Sequence, residues 1–173
     1  MENFKSKLNK VKAFIFDVDG VLTDGSVKLM SDGLHGDTMN IRDIHALESA
    51  VKKGYVVAII SGGRSEILRT RMNGLGITDV FLGSHAKIDS YNEFIAAYSL
   101  KHDEILYMGD DIPDHEVMQR VGIATCPGDA AQEIKDISIY ISQKNGGHGA
   151  VRDVIEQVLR LHGNWFDKDG FVW

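Results

Sequence analysis

Between residues 42 and 161 short apolar runs alternate with segments of helical periodicity, and this alternation restricts the fold more than any other feature. Ile44, Leu47, Ala50 and Val51 recur at helical spacing, and Gly54 follows where a helix C-terminal cap belongs. Residues 55–60 are almost continuously apolar, as in a strand buried on both faces. The pattern then predicts a helix over 64–75, a short strand over 80–82 and a helix over 87–100. A strand over 104–108 follows, then a helix over 113–121 with Pro113 near its start. Strands at 123–125 and 137–141 and an amphipathic helix over 149–161 complete the series. Upstream, Ala13-Phe14-Ile15-Phe16 reads as a first buried strand, after a basic leader with room for a short helix. Alternating strands and helices predict an α/β fold, a Rossmann-like doubly wound parallel sheet, in one domain spanning 1–173.

One segment breaks the alternation. Residues 26–30 and 35–40 flank Ser31-Asp32-Gly33, whose Asp-Gly pair signals a hairpin. A hairpin directly after the first strand is not a crossover, so it is expected to project. Its Val27, Leu29 and Met39 would then need cover from another chain. The tail over 163–173 is aromatic-rich, with Trp165 and Trp173, and is expected to dock on this chain or a neighbour.

Composition narrows the function. A net charge of -6 argues against non-specific nucleic-acid binding. A single cysteine, Cys126, rules out an intrachain disulfide framework and fits a reducing compartment. No apolar run approaches the roughly 20 residues of a membrane span. The polar start has no signal-peptide core, so a cytoplasmic location is expected.

Parallel sheets of this kind bind ligands beyond the carboxyl ends of their strands. The first strand ends in Asp17 and Asp19, which point the same way in an extended segment. The next parallel strand ends in Ser61-Gly62-Gly63-Arg64. Gly83 to Lys87 follows the third, and Gly109-Asp110-Asp111-Ile112-Pro113-Asp114 the fourth. Taken singly these are an acidic turn, a tight connection, a solvated lysine and a helix cap. Together on one rim they suit phosphoryl transfer through an aspartate. Asp17 and Asp110 are placed to hold Mg²⁺, a hard cation that takes one or two carboxylates plus phosphate oxygens. Ser61 and Lys87 would contact the transferring oxygens, while Asp19 would protonate the leaving oxygen and later activate water.

These four motifs, in this order and over most of the chain, resemble those of the haloacid dehalogenase superfamily. The resemblance implies Asp17 as nucleophile, Asp19 as acid/base, and Ser61 and Lys87 as phosphate ligands. It also implies Mg²⁺ on Asp17, the Asp19 carbonyl and Asp110. The chain is too short for a large cap domain. Its hairpin, the 39–43 segment and the 144–152 segment are similar to capless sugar-acid phosphatases of that superfamily. Those enzymes are tetramers with hairpins at the centre and neighbouring chains closing each site. By this matching the substrate is an eight-carbon 2-keto-3-deoxy sugar-acid phosphate of lipopolysaccharide precursor synthesis. Asn40, Arg42 and Asp43 would lie near it, and Arg71 would meet its anionic end. Two positions depart from the family: Gly63 stands where an arginine is usual, with Arg64 displaced from it by one position and a candidate substrate ligand, and Glu48 stands where a basic residue is common. The alternatives are a nine-carbon sugar-acid phosphatase, a receiver-like phospho-acceptor domain, and a silent assembly partner. The two-residue spacing of Asp17 and Asp19 speaks against the receiver, because it puts an acid/base beside the nucleophile.

Overall fold

The computed structural model of the protein describes residues 4–29, 35–36 and 38–166. Six strands form one parallel sheet: β1 (Ala13–Phe16), β4 (Val56–Ile60), β5 (Asp79–Phe81), β6 (Ile105–Met108), β7 (Ile123–Cys126) and β8 (Tyr140–Ile141), in the order β5-β4-β1-β6-β7-β8. A separate antiparallel pair, β2 (Lys28–Leu29) with β3 (His35–Gly36), sits in the connection after β1. The Asp32-Gly33 turn expected between them lies outside the described residues.

The sheet is coated on both sides, for a reason visible in β1. All four of its residues are buried, and side chains of a strand alternate between faces. Phe14 and Phe16 enter one apolar cluster with α1 (Phe4–Leu8), α2 (Ile41–Lys52), α3 (Glu66–Gly74) and α7 (Ala150–Leu161). Ala13 and Ile15 enter the other, with α4 (Lys87–Tyr98), α5 (His115–Arg120) and α6 (Gln132–Ile137). Burying each phenylalanine contributes about 1.5–3 kcal/mol.

Two boundaries differ from the sequence reading. Residues 137–141 were expected as one strand, but Ile137 ends α6 and only Tyr140–Ile141 pairs with β7. The six-residue α6 buries a single side chain, Ile134, so its helical period is too short to read. Pro113 lies in a tight 3-10 turn, Ile112–Asp114, ahead of α5.

Strand order positions the site. From β1 the chain adds β4 and β5 on one side, then crosses to β6 on the other, so the direction of winding reverses between β1 and β6. A crevice opens at such a reversal, beyond the strand C-terminal ends. Asp17 follows β1 at its centre.

Candidate active site

The loop after β1 is held by backbone rather than bulk. The amides of Val21, Leu22 and Thr23 all donate to the Val18 carbonyl, and Asp17 N donates to the Met108 carbonyl of β6. The buried Thr23 hydroxyl accepts from the amides of Gly20 and Gly25, tying the loop across itself. Gly20 has φ +82°, and a Cβ there would stand 2.0 Å from Asp110 Oδ2. Glycine at this position is what lets the β1 and β6 loops close on each other.

A cavity of about 440 Å³ opens between these loops, lined by Asp17, Asp19, Gly63, His85, Lys87 and Asp110 among others. Lys87, the first residue of α4, is buried, and its Nζ lies 2.8 Å from both Asp17 Oδ1 and Asp114 Oδ1. A buried ammonium persists only when paired and hydrogen-bonded, and here two carboxylates do both. Burial works to lower its pKa, and the charges of Asp17 and Asp114 overcome it, holding Lys87 above the ordinary range. Asp114 also accepts from the Tyr107 hydroxyl at 2.5 Å and from the Asp110 amide at 3.2 Å.

Asp17, Asp110 and Asp114 bring carboxylate oxygens within 4.8 Å of one another, a grouping able to hold a metal ion. Burial and the Asp114 charge, against Lys87, push Asp17 up to about 8, and the same causes push Asp110 up to about 7. Like charges this close cannot all ionise unless a cation joins them. Asp114 is already engaged by Lys87, Tyr107 and backbone amides, so Asp17 and Asp110 carry the open coordination. Their donor set suits a hard divalent cation.

Ser61 is buried at the end of β4, its hydroxyl accepting from the Gly63 amide at 3.0 Å. Its backbone is pinned to the next loop, Ser84 N donating to the Ser61 carbonyl. Asp19 is exposed on the cavity wall. Arg64 reaches the mouth through His85, with 3.3 Å between its guanidinium and His85 Nε2. Arg71 is exposed on α3 and does not line the cavity.

Asp43, expected beside the substrate, is fully buried and accepts from the amides of Gly149, at 3.1 Å, and Arg152, at 2.7 Å. It caps α7, where a carboxylate meets the positive end of the helix. Burial nonetheless raises its pKa, against those two amide bonds. Asn40 caps α2 through its side chain, and with Arg42 it lines a different cleft. Sequence reasoning placed Asp114 in the fourth motif with a local capping job and read Tyr107 only as a strand residue. The four-residue spacing from Asp110 was the available signal for Asp114; nothing local marked Tyr107.

The haloacid dehalogenase-like hydrolase family profile matches residues 64–155. A 3-deoxy-D-manno-octulosonate 8-phosphate phosphatase of Yersinia pestis is 34% identical over 149 residues, 86% of this chain and 80% of the relative. The crystal structure of the Moraxella catarrhalis phosphatase of that name, in complex with magnesium ion, phosphate ion and KDO, superposes with a TM-score of 0.90. It is 29% identical, covering 97% of this chain and 95% of that one. A cobalt-bound deoxy-D-mannose-octulosonate 8-phosphate phosphatase from Haemophilus influenzae gives 0.89 at 30% identity, covering 95% and 98%.

Proposed function

The chain belongs to the haloacid dehalogenase-like hydrolases and is a phosphoric monoester hydrolase, and from that premise we propose that it hydrolyses 3-deoxy-D-manno-octulosonate 8-phosphate to the free sugar acid and phosphate. The observation that carries this reading is the Asp17–Lys87–Asp114 arrangement beside Asp110 at the winding reversal. Similarity to octulosonate phosphatases over most of the chain supports the choice of sugar acid.

A carboxylate of Asp17 attacks phosphorus, the bond from phosphorus to the sugar oxygen breaks, and Asp19 supplies the proton to that oxygen. Asp19, now ionised, takes a proton from water. The water oxygen attacks phosphorus and the bond to Asp17 breaks, releasing phosphate and restoring the Asp17 carboxylate and the protonated Asp19. Mg²⁺ held by Asp17, the Asp19 carbonyl and Asp110 supplies positive charge against the developing phosphoryl charge. Lys87 adds a fixed ammonium at the nucleophile, and Ser61 offers a hydroxyl to the phosphoryl oxygens. Arg64 and Arg71 are assigned to the sugar's carboxylate, for which a guanidinium fork is suited. Asn40 and Arg42 retain a part in substrate binding only if the bound sugar reaches their cleft.

The protein acts in the cytoplasm, in lipopolysaccharide precursor synthesis, and assembles as a homotetramer. The separate β2–β3 pair and the exposed Val27 beside it support assembly. No helix among the described residues is long and apolar enough to cross a membrane. The test is phosphate release with Mg²⁺ from eight- and nine-carbon sugar-acid phosphates side by side. A higher kcat/KM for the eight-carbon acid is expected. Preference for the nine-carbon acid would move the enzyme to sialic-acid-type substrates, and turnover of neither would discard the sugar-acid reading. Asp17→Asn is expected to abolish turnover while keeping the fold, and substantial residual steady-state activity would remove Asp17 from the nucleophile role.

A further inference from the structure

Tyr107 lies in β6 with no exposed surface, so its hydroxyl needs a partner inside the protein. Its strand neighbours in register are Ile15 of β1 and Ala124 of β7, and the alanine leaves width for the ring. Two residues on, where an extended chain returns to the same face, stands Gly109. A Cβ there would lie 2.4 Å from Asp114 Cγ, so the glycine is what lets Asp114 settle over the end of the strand. Asp114 Oδ1 accepts from the Tyr107 hydroxyl at 2.5 Å and from Lys87 Nζ at 2.8 Å. That ammonium is also 2.8 Å from Asp17 Oδ1. A continuous link, Tyr107 to Asp114 to Lys87 to Asp17, thus runs from the interior of the sheet to the nucleophile.

We propose that Tyr107 is a positioning residue for phosphoryl transfer: its hydroxyl fixes Asp114 and takes up part of its charge, so that Lys87 stays shared with Asp17 instead of closing onto Asp114. The inference rests on the phosphatase reading of the pocket. Asp114 carries its carboxylate on a short arm that can turn, and Tyr107 holds Oδ1 from a central strand while the Asp110 amide holds Oδ2 at 3.2 Å. Burial and the charges of Asp114 and Asp17 keep the Tyr107 phenol well above its ordinary pKa, so it remains a donor. A bond from a neutral hydroxyl to a buried carboxylate is of the charge-assisted, stronger kind. Without it, Asp114 Oδ1 would turn to Lys87 for its compensation, because a buried carboxylate short of donors is costly. The ammonium would then be drawn away from Asp17 and from the phosphoryl oxygens.

Tyr107→Phe removes one oxygen and keeps the ring. With saturating Mg²⁺ and 3-deoxy-D-manno-octulosonate 8-phosphate, its kcat is expected to fall about tenfold with KM within about twofold of wild type. In a Lys87→Met background the same change is expected to alter the residual kcat by less than about twofold, because the link then ends at a missing ammonium. Thr125→Val is the control: it removes another buried hydroxyl, one bonded to the Tyr107 carbonyl at 2.9 Å, and is expected to keep kcat within about twofold. Thermal unfolding midpoints above the assay temperature establish that the variants fold. A second readout uses the unmutated side chain, with ¹³C at Cζ of Tyr107. Its signal is expected to shift when Mg²⁺ and inorganic phosphate fill the pocket, since Lys87 then turns toward phosphate and Asp114 leans more on the phenol. Wild-type kcat in Tyr107→Phe, an equal loss in the Lys87→Met background, or a ¹³C signal unmoved by bound phosphate would each overturn the role of Tyr107 while the wild type remained active. A wild type inert toward sugar-acid phosphates would overturn the phosphatase reading, and this proposal with it.

Discussion

Gly20→Ala tests how the two acidic loops close on each other. An L-residue in the left-handed region costs about 1–2 kcal/mol, whatever surrounds it. Gly54 has φ +84° with nothing within 4 Å of a Cβ, so Gly54→Ala measures that cost alone. Gly20 has nearly the same φ, +82°, but its Cβ would lie 2.0 Å from Asp110 Oδ2 and 2.5 Å from Asp110 Cγ. Carbon and oxygen do not approach so closely, and the carboxylate must retreat by about 1 Å or more. Disturbing the support of a metal ligand typically costs 10–100-fold in affinity, about 1.4–2.7 kcal/mol. Moving the ligand itself costs at least as much. Gly20→Ala is therefore expected to bind Mg²⁺ at least roughly tenfold more weakly by calorimetry. It should lose turnover at limiting metal and recover part of it at high metal. Gly54→Ala should lose stability by urea denaturation and keep the wild-type metal affinity. If Gly20→Ala bound Mg²⁺ within twofold of wild type, Asp110 would not be the ligand held by this contact.

Other perturbations separate the parts of the site. Lys87→Met leaves Asp17 and Asp114 buried without their shared counter-ion, so kcat is expected to fall about 10²–10³-fold; a loss under fivefold in steady-state assays would remove Lys87 from the charge-stabilising role. In metal-free protein burial and the Asp114 charge hold the pKa of Asp17 at about 8 and that of Asp110 at about 7, well above the ordinary carboxylate range. Their contribution to stability is thus full below pH 4 and lost as pH rises through 7 and 8. The unfolding midpoint in EDTA should fall over that window, and the rise produced by Mg²⁺ should grow; a midpoint in EDTA that climbs from pH 6 to 8 would contradict this. Asp43→Ala frees the amides of Gly149 and Arg152 and is expected to cost about 1–2 kcal/mol in urea denaturation. A large rise in KM at unchanged stability would instead return Asp43 to the substrate.

Much of the sheet was determined by local sequence. Apolar runs of strand length, separated by helical periods and glycine stops, define parallel strands whose C-terminal ends share one rim, and residues following those strands are brought together wherever the chain runs between them. Asp17, Ser61, Lys87 and Asp110 could be read as one constellation for that reason. Only tertiary structure decided which contacts those residues make. Lys87 was legible as a cation on the rim, but its burial between Asp17 and Asp114 depends on how α4 packs against β4 and α5. Asp43 had the look of a site residue, yet its partners lie 106 and 109 residues away at the start of α7. Arg42, its neighbour in sequence, lines a cleft away from the catalytic pocket because successive helix residues are rotated by about 100°. The raised pKa values of Asp17 and Asp110 were likewise beyond local reading. They arise from burial and from charges brought within a few ångströms by segments far apart in the chain, and neither burial nor proximity is a property of a residue's neighbours in sequence.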